Sequence, residues 1–264
     1  MAEFTAKDVQ ALRQATGAGM MDAKKALVEA EGDFDAAAKK LRENGLAKAA
    51  TRSDRDNVEG VVAVADSDAG AAIVQLKSET DFSAKSDDFV ALSQDIADAV
   101  AADGEAAAEG FQSRIDDLKV TLKENIELGS VTRVAKADGQ VVDTYVHVQD
   151  GRGVNGVITV LEGGDAELAH DISIHIAFTK PAYLTRDEVP QAAIDEERET
   201  LTEITRKEGK PEEALPKIVE GKLGGWFRDQ VLMEQKFVRD EKQTIEKLLG
   251  STKLVRFEQV VIGS

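Results

Sequence analysis

The sequence predicts an α+β fold: a small three-helix module, a core of two related hairpin-plus-helix halves, and an antiparallel helical hairpin inserted in the second half. Three observations carry this. A strand–turn–strand–helix series occurs twice, about 80 residues apart. Residues 1–52 hold nine Lys or Arg against eight Asp or Glu, a net of +1 in a chain of −17, which leaves −18 for the remainder. Such asymmetry marks the first segment as a separate module with contacts of its own. From Asp187 to about Phe227 the strand pattern gives way to charged, amphipathic helix periodicity.

The first module spans residues 1–52. Thr5 and Asp8 form a T-x-x-D helix start, in which the hydroxyl accepts from an early N–H and the acid faces the positive helix end. Val9 and Leu12 continue at helical spacing until Gly17 and Gly19 interrupt it. A second helix is expected from Met20 or Met21 to Glu31, with Ala26 and Leu27 inward. Gly32 suits a left-handed C-terminal cap, and Asp33 caps a third helix carrying Phe34, Ala37 and Leu41 and stopping near Gly45. Adjacent Met20 and Met21 cannot share one helical face, so one is expected in the core and the other on the turn. Loose packing and contact with a partner are equally consistent with flexible methionines here. Arg13 carries the same ambiguity.

After the polar linker "TRSDRDN", residues 53–139 form the first body half. "GVVAVADSDAGAAIVQLKSE" reads as two strands around a D-S-D-A-G turn. A helix follows with Phe89, Leu92, Ile96 and Val100 at helical spacing, and one or two more place Leu118, Leu122 and Ile126 four apart. The second half comprises residues 140–186 and 228–264. It has a hairpin around Q-D-G-R-G and a helix with Leu168, Ile172 and Ile176 or Ile174 inward. A helix from Lys242 to Leu249 precedes a final strand that completes the second sheet. Between these parts, residues 187–227 form the helical hairpin, with Ile194, Leu201 and Ile204 facing Leu215, Ile218, Leu223 and Trp226. Pro216 within its second helix removes a backbone donor and invites a kink or a later start.

The two halves differ in one place. In the second, the strand "NGVITVLEGG" meets its helix at Asp165 almost at once; in the first, "TDFSAK" intervenes before Asp87. The fold plan closes without this stretch. A binding role is the natural alternative, because loops on rigid scaffolds carry contacts, and Phe82 reads as an exposed ring.

Several functions are excluded. A charge of −17 argues against broad phosphate-backbone binding, so no direct nucleic-acid contact is expected. No apolar run approaches the ~18 residues of a membrane span. "MAEFTAKDVQ" lacks the basic-then-apolar pattern of a signal peptide, so a cytoplasmic location is expected. There is no cysteine, hence no disulfide, thiol chemistry or CxxC site. No Walker A, GxGxxG or Ser–His–Asp order occurs, and His170 and His175, five apart, do not share a helical face. No cofactor, no metal and no enzymatic centre are expected. The helical hairpin leaves homodimerisation open.

Four stretches in order, "LRQATGAGMMDAKKALVEAEGDFDAAAKKLRENGLAKAA", "SETDFSAK", "HDISIHIAFTKPAYL" and "GKPEEALPKIVEGKL", resemble bacterial elongation factor Ts over essentially the whole chain. The resemblance implies a guanine-nucleotide exchange factor for elongation factor Tu. It implies a ubiquitin-associated-like first domain, two related α+β subdomains, an inserted coiled-coil hairpin and a C-terminal module. It places Thr80, Asp81, Phe82 and Ser83 at a tip that enters the GTPase near its nucleotide-bound Mg²⁺. It matches Arg13, Met20 and Met21 to positions touching the GTPase domain, and "TYVHV", with Tyr145 and His147, to a Tyr-x-His of the second subdomain. A non-exchanging interaction scaffold is the remaining alternative.

Overall fold

A computed structural model describes residues 4–263 and divides into two compact units. The first contains the chain to Ala135, Val146–Gly156 and the residues from Val260; the second contains Lys136–Tyr145 and Val157–Gln259.

The first unit begins with three helices: α1 (Ala6–Thr16), α2 (Met20–Glu29) and α3 (Phe34–Ala50). The expected capping box of α1 is present: Asp8 N–H donates to Thr5 Oγ1 at 3.3 Å, and Thr5 N–H donates to Asp8 Oδ2 at 2.7 Å. Gly32 takes φ 87°, and Asp33 Oδ1 accepts from Ala36 N–H at 3.0 Å to open α3. Val9, Leu12, Ala23, Ala26, Leu27, Ala37 and Leu41 form the module's core. Two expectations need correction. Both Met20 and Met21 are exposed, because Ala23, Ala26 and Leu27 already fill the inward face of α2. Helix α3 does not stop at Gly45 but runs five residues further, through Leu46–Ala50, all good helix formers. Gly45 serves packing instead: a Cβ there would lie 2.6 Å from Val120 Cγ1 of the helix α6 (Gln112–Leu122).

The sheet of this unit has the order β1 (Glu59–Asp66), β2 (Gly70–Ser78), β3 (Glu127–Ala135), all antiparallel. Strand β2 is central and buried almost throughout, with residues 71–74 and Leu76 fully covered and Gln75 buried among them. The one-turn helix α4 (Asp81–Ala84) and the long helix α5 (Asp87–Asp103) follow it. Phe89, Leu92, Ile96 and Val100 pack from α5 onto Val61, Val74 and Leu76. Strand β3 was not expected. The four-residue spacing of Leu118, Leu122 and Ile126 reads as one helix, but α6 ends at Leu122, where Lys123 turns left-handed at φ 60°. Ile126 then enters the same core from the connection just before β3.

A second sheet has the order β4 (Gln140–Gln149), β5 (Arg152–Glu162), β8 (Lys253–Val261), so the last strand completes it as expected. The β5 backbone leaves its turn against β1: a Cβ on Gly153 would sit 2.1 Å from Val62 O.

In the second unit, α7 (Ala166–Thr179) starts directly behind Asp165, whose Oδ1 accepts from Leu168 N–H at 2.9 Å. Ile172 and Ile176 are its buried pair, while Ile174 is only partly covered. The hairpin consists of α8 (Gln191–Lys207) and α9 (Leu215–Gln230). Pro216 lies in the first turn of α9, where no intrahelical donor is lost, and the α-helix starts only at Leu215, after a short 3-10 turn, which is the later start expected. The inward row of α9 is Leu215, Val219, Leu223 and Phe227, a clean four-residue series; Trp226 packs against the same cluster as Ile194 and Leu201, as expected, while Ile218 is only partly covered. Ile204 of α8 is exposed rather than inward. The expected helix from Lys242 is replaced by a small ribbon, β6 (Lys236–Phe237) with β7 (Asp240–Thr244), and only then α10 (Ile245–Leu249), which Thr244 caps by accepting from Lys247 N–H. No helix among the described residues is long and apolar enough to cross a membrane.

His175 is fully buried in this unit. Its Nδ1 accepts from Val238 N–H at 3.3 Å, which assigns the proton to Nε2, facing Gln235 Oε1 at 2.9 Å. Burial lowers its pKa from 6.5, and the Gln235 contact offsets this only in part. The unfolded chain therefore binds this proton first as pH falls. Stability is full above about pH 6.5 and declines below it, by at most about 1.4 kcal/mol per pH unit. His175→Gln should flatten this slope in thermal melts recorded between pH 7 and pH 5; an equally steep slope in the variant would assign it elsewhere.

Candidate functional site

The stretch between β2 and α5 is built from both ends. Ser78, the last residue of β2, is buried and donates through Oγ to Thr80 O at 3.0 Å. Thr80 is the extended N-cap of α4, and its Oγ1 accepts from Ser83 N–H at 3.3 Å. Within this single turn, Ser83 and Ala84 point inward and are buried, while Asp81 and Phe82 point outward. Phe82 is 85% exposed, more than any other large apolar side chain described. An aromatic ring of that area left in water is unusual on a well-packed scaffold, since its burial against a partner would release about 1.5–3 kcal/mol.

The charges around the turn form a chain. Lys85 Nζ reaches Asp81 Oδ2 at 2.7 Å, four residues back, and Asp150 Oδ2 at 3.3 Å. The Lys85 hydrogen bond, and then its charge, hold the Asp81 carboxyl below the usual carboxylate range. Asp81 and Asp150 together push Lys85 upward. Asp150 and Gly151 form the tight β4–β5 turn with φ 52° and 81°, the left-handed pair of a type I′ hairpin. Arg152 roots that turn by donating to Gly60 O and Glu59 Oε2. His147 and Val148 lie exposed at the end of β4, beside the same turn. The structure thus brings the Asp81–Phe82 turn and the β4–β5 turn together through Lys85, a residue the sequence reading passed over although its i, i+4 spacing from Asp81 was visible.

Arg13, Met20 and Met21 form a separate exposed group. Arg13 lies in the last turn of α1, Met20 and Met21 in the first turn of α2, on either side of Gly17 and Gly19. Gly17, at φ 65°, ends α1 by donating to Arg13 O. Tyr145 is half-buried and meets His170 edge-on at 6.0 Å; it belongs to the second unit's core rather than to the exposed end of β4. Among the described residues no group of three or more His, Cys, Asp or Glu side chains is placed to hold a metal.

Known proteins are similar to this chain over most or all of its length. A family model described as Elongation factor TS matches residues 79–264. A protein of Clavibacter sepedonicus named Elongation factor Ts is 44% identical over 266 residues, covering 96% of each chain. Its namesake in Cutibacterium acnes is 42% identical over 275 residues, covering 98% of this chain and 99% of the relative. That of Micrococcus luteus is 40% identical over 279 residues and spans both chains fully. Identity at this level along the whole length, from the helices that present Arg13 to the last strand of the second sheet, shows that the chain belongs to the elongation factor Ts family.

Proposed function

We propose that the chain binds elongation factor Tu in its GDP-bound form and accelerates GDP release, so that GTP can replace it. The observation that carries the reading is Phe82, almost wholly exposed on a turn that the rest of the fold holds in place. The Thr80–Ser83 tip is delivered near the partner's Mg²⁺. Phe82 enters between packed elements, which move as discrete bodies because such regions are not softly deformable. Mg²⁺ demands near-octahedral oxygen ligands and tolerates little displacement. Once it is dislodged, the phosphate charges are poorly neutralised and GDP leaves faster. Asp81, already paired with Lys85, brings a carboxylate to the polar surroundings of the metal.

No acid–base chemistry is asked of this chain; it lends binding energy to the partner's step. Linkage makes the effect reciprocal, and a coupling of ~1–3 kcal/mol gives only ~5–150-fold, so several contact regions act together. Arg13, Met20, Met21 and His147 supply them, all exposed. In this reading residues 1–52 are a ubiquitin-associated-like docking domain and residues 53–139 carry the tip. Residues 140–186 and 228–264 form the second subdomain, and residues 187–227 its coiled-coil arm. The protein works in the cytoplasm.

The test is direct. Elongation factor Tu loaded with a fluorescent GDP analogue should release it faster when this protein is added at micromolar concentration with excess unlabelled GDP. Binding without acceleration would mark a non-exchanging scaffold instead.

A further inference from the structure

We infer that Glu124 is a positioning residue for exchange, holding the Asp81–Phe82 turn at the angle from which it engages the partner; this rests on the exchange reading above. One carboxylate gathers four hydrogen bonds from the tip. Glu124 Oε1 accepts from Thr80 Oγ1 and from Ser83 Oγ, each at 2.6 Å. Its Oε2 accepts from the backbone N–H of Glu79 at 3.1 Å and of Thr80 at 3.2 Å. These donors bracket α4 on its inner side, so Thr80 and Ser83 are turned toward Glu124 while Asp81 and Phe82 are left facing out.

A four-residue helix has no stability of its own, because nucleation costs more than one turn returns. Its orientation must come from outside, and Glu124 accepts four of the hydrogen bonds that supply it. Only an ionised carboxylate offers acceptors on both oxygens; an amide of the same shape offers one. The neighbourhood is arranged to deliver it. Lys123 adopts a left-handed φ of 60°, a conformation that disfavours side chains bearing Cβ, and it is this turn that aims Glu124 at the tip. Glu79 answers in the opposite direction, its Oε1 accepting from Asn125 N–H at 2.6 Å. The tip and the α6–β3 connection are thus locked reciprocally across more than forty residues of sequence.

The experiment compares the full-length protein with Glu124→Gln, Phe82→Ala and the double variant in fluorescent-GDP release from elongation factor Tu. Glu124→Gln should lower the saturating release rate about tenfold, the loss that a hydrogen bond to a charged group supports. KM, set by the other contact regions, should stay within about twofold, and the melting temperature should fall by no more than a few degrees. In the Phe82→Ala background Glu124→Gln should cost much less than its tenfold alone, since most of its effect passes through Phe82 and only the Asp81 share remains. Losses that multiply, a change confined to KM, or a Glu124→Gln protein equal to wild type would each overturn the role. If Glu124→Gln does not melt cooperatively, Ser83→Ala removes one donor and spares the carboxylate. A saturating rate lowered about threefold then supports the role, and an unchanged rate overturns it. Failure of the exchange reading looks different: the wild-type chain itself leaves release unaccelerated, and the role of Glu124 falls with it.

Discussion

Phe82→Ala is expected to slow the release of GDP that this chain stimulates in its partner by roughly 10- to 150-fold while leaving the melting temperature within a few degrees of wild type. The range is the burial free energy of a Phe side chain, about 1.5–3 kcal/mol, converted at 1.36 kcal/mol per tenfold. It applies in full because the ring is 85% exposed and so contributes little to the fold in the free protein. Both halves of the outcome matter. A variant that melts early would make Phe82 a packing residue of this chain. A variant that exchanges normally would move the work to other contacts and leave the exposed ring without a role.

Phe89→Ala, seven residues on, should behave in the opposite way. Phe89 is fully buried between α5 and the first sheet, with Leu92, Ile96, Val74 and Leu76 around it. Truncation leaves a cavity in a rigid layer and is expected to cost about 3–5 kcal/mol. Against a total of about 5–15 kcal/mol this is a large share, and urea denaturation should show a lowered midpoint with an unchanged slope. At temperatures where the variant remains folded, it should still accelerate release, because the tip and Glu124 are untouched. A midpoint equal to wild type would mean that the core can collapse around the missing ring.

The contrast shows which parts of the molecule were legible in the sequence. Local signals with a fixed chemical partner read well: Thr5 with Asp8, Asp33 with the start of α3 and Asp165 with α7 all lie where their spacing puts them. The exposure of Phe82 was legible too, through comparison with a second half that lacks "TDFSAK". Periodicity misled where two rules shared one spacing. Leu118, Leu122 and Ile126 recur every fourth position, yet the first two belong to a helix and the last to the approach to a strand. Gly45 looked like a helix end because glycine usually weakens a helix, whereas here it admits Val120 of α6. One of Met20 and Met21 was expected in the core because the pattern counts apolar residues without knowing that three neighbours already fill it. Glu124 was invisible for a different reason. Its bonds to Thr80 and Ser83 span more than forty residues and have no period, so only the folded chain brings them together.

The one-turn helix α4 divides its labour by position. Thr80 and Ser83 answer to the scaffold, and Asp81 and Phe82 answer to nothing within it beyond one exposed ion pair with Lys85. Such a pair contributes little to folding. Residues 81 and 82 can therefore be exchanged at little cost to the fold, so the outward face of the turn is open to variation while Thr80, Ser83 and Glu124 hold its frame.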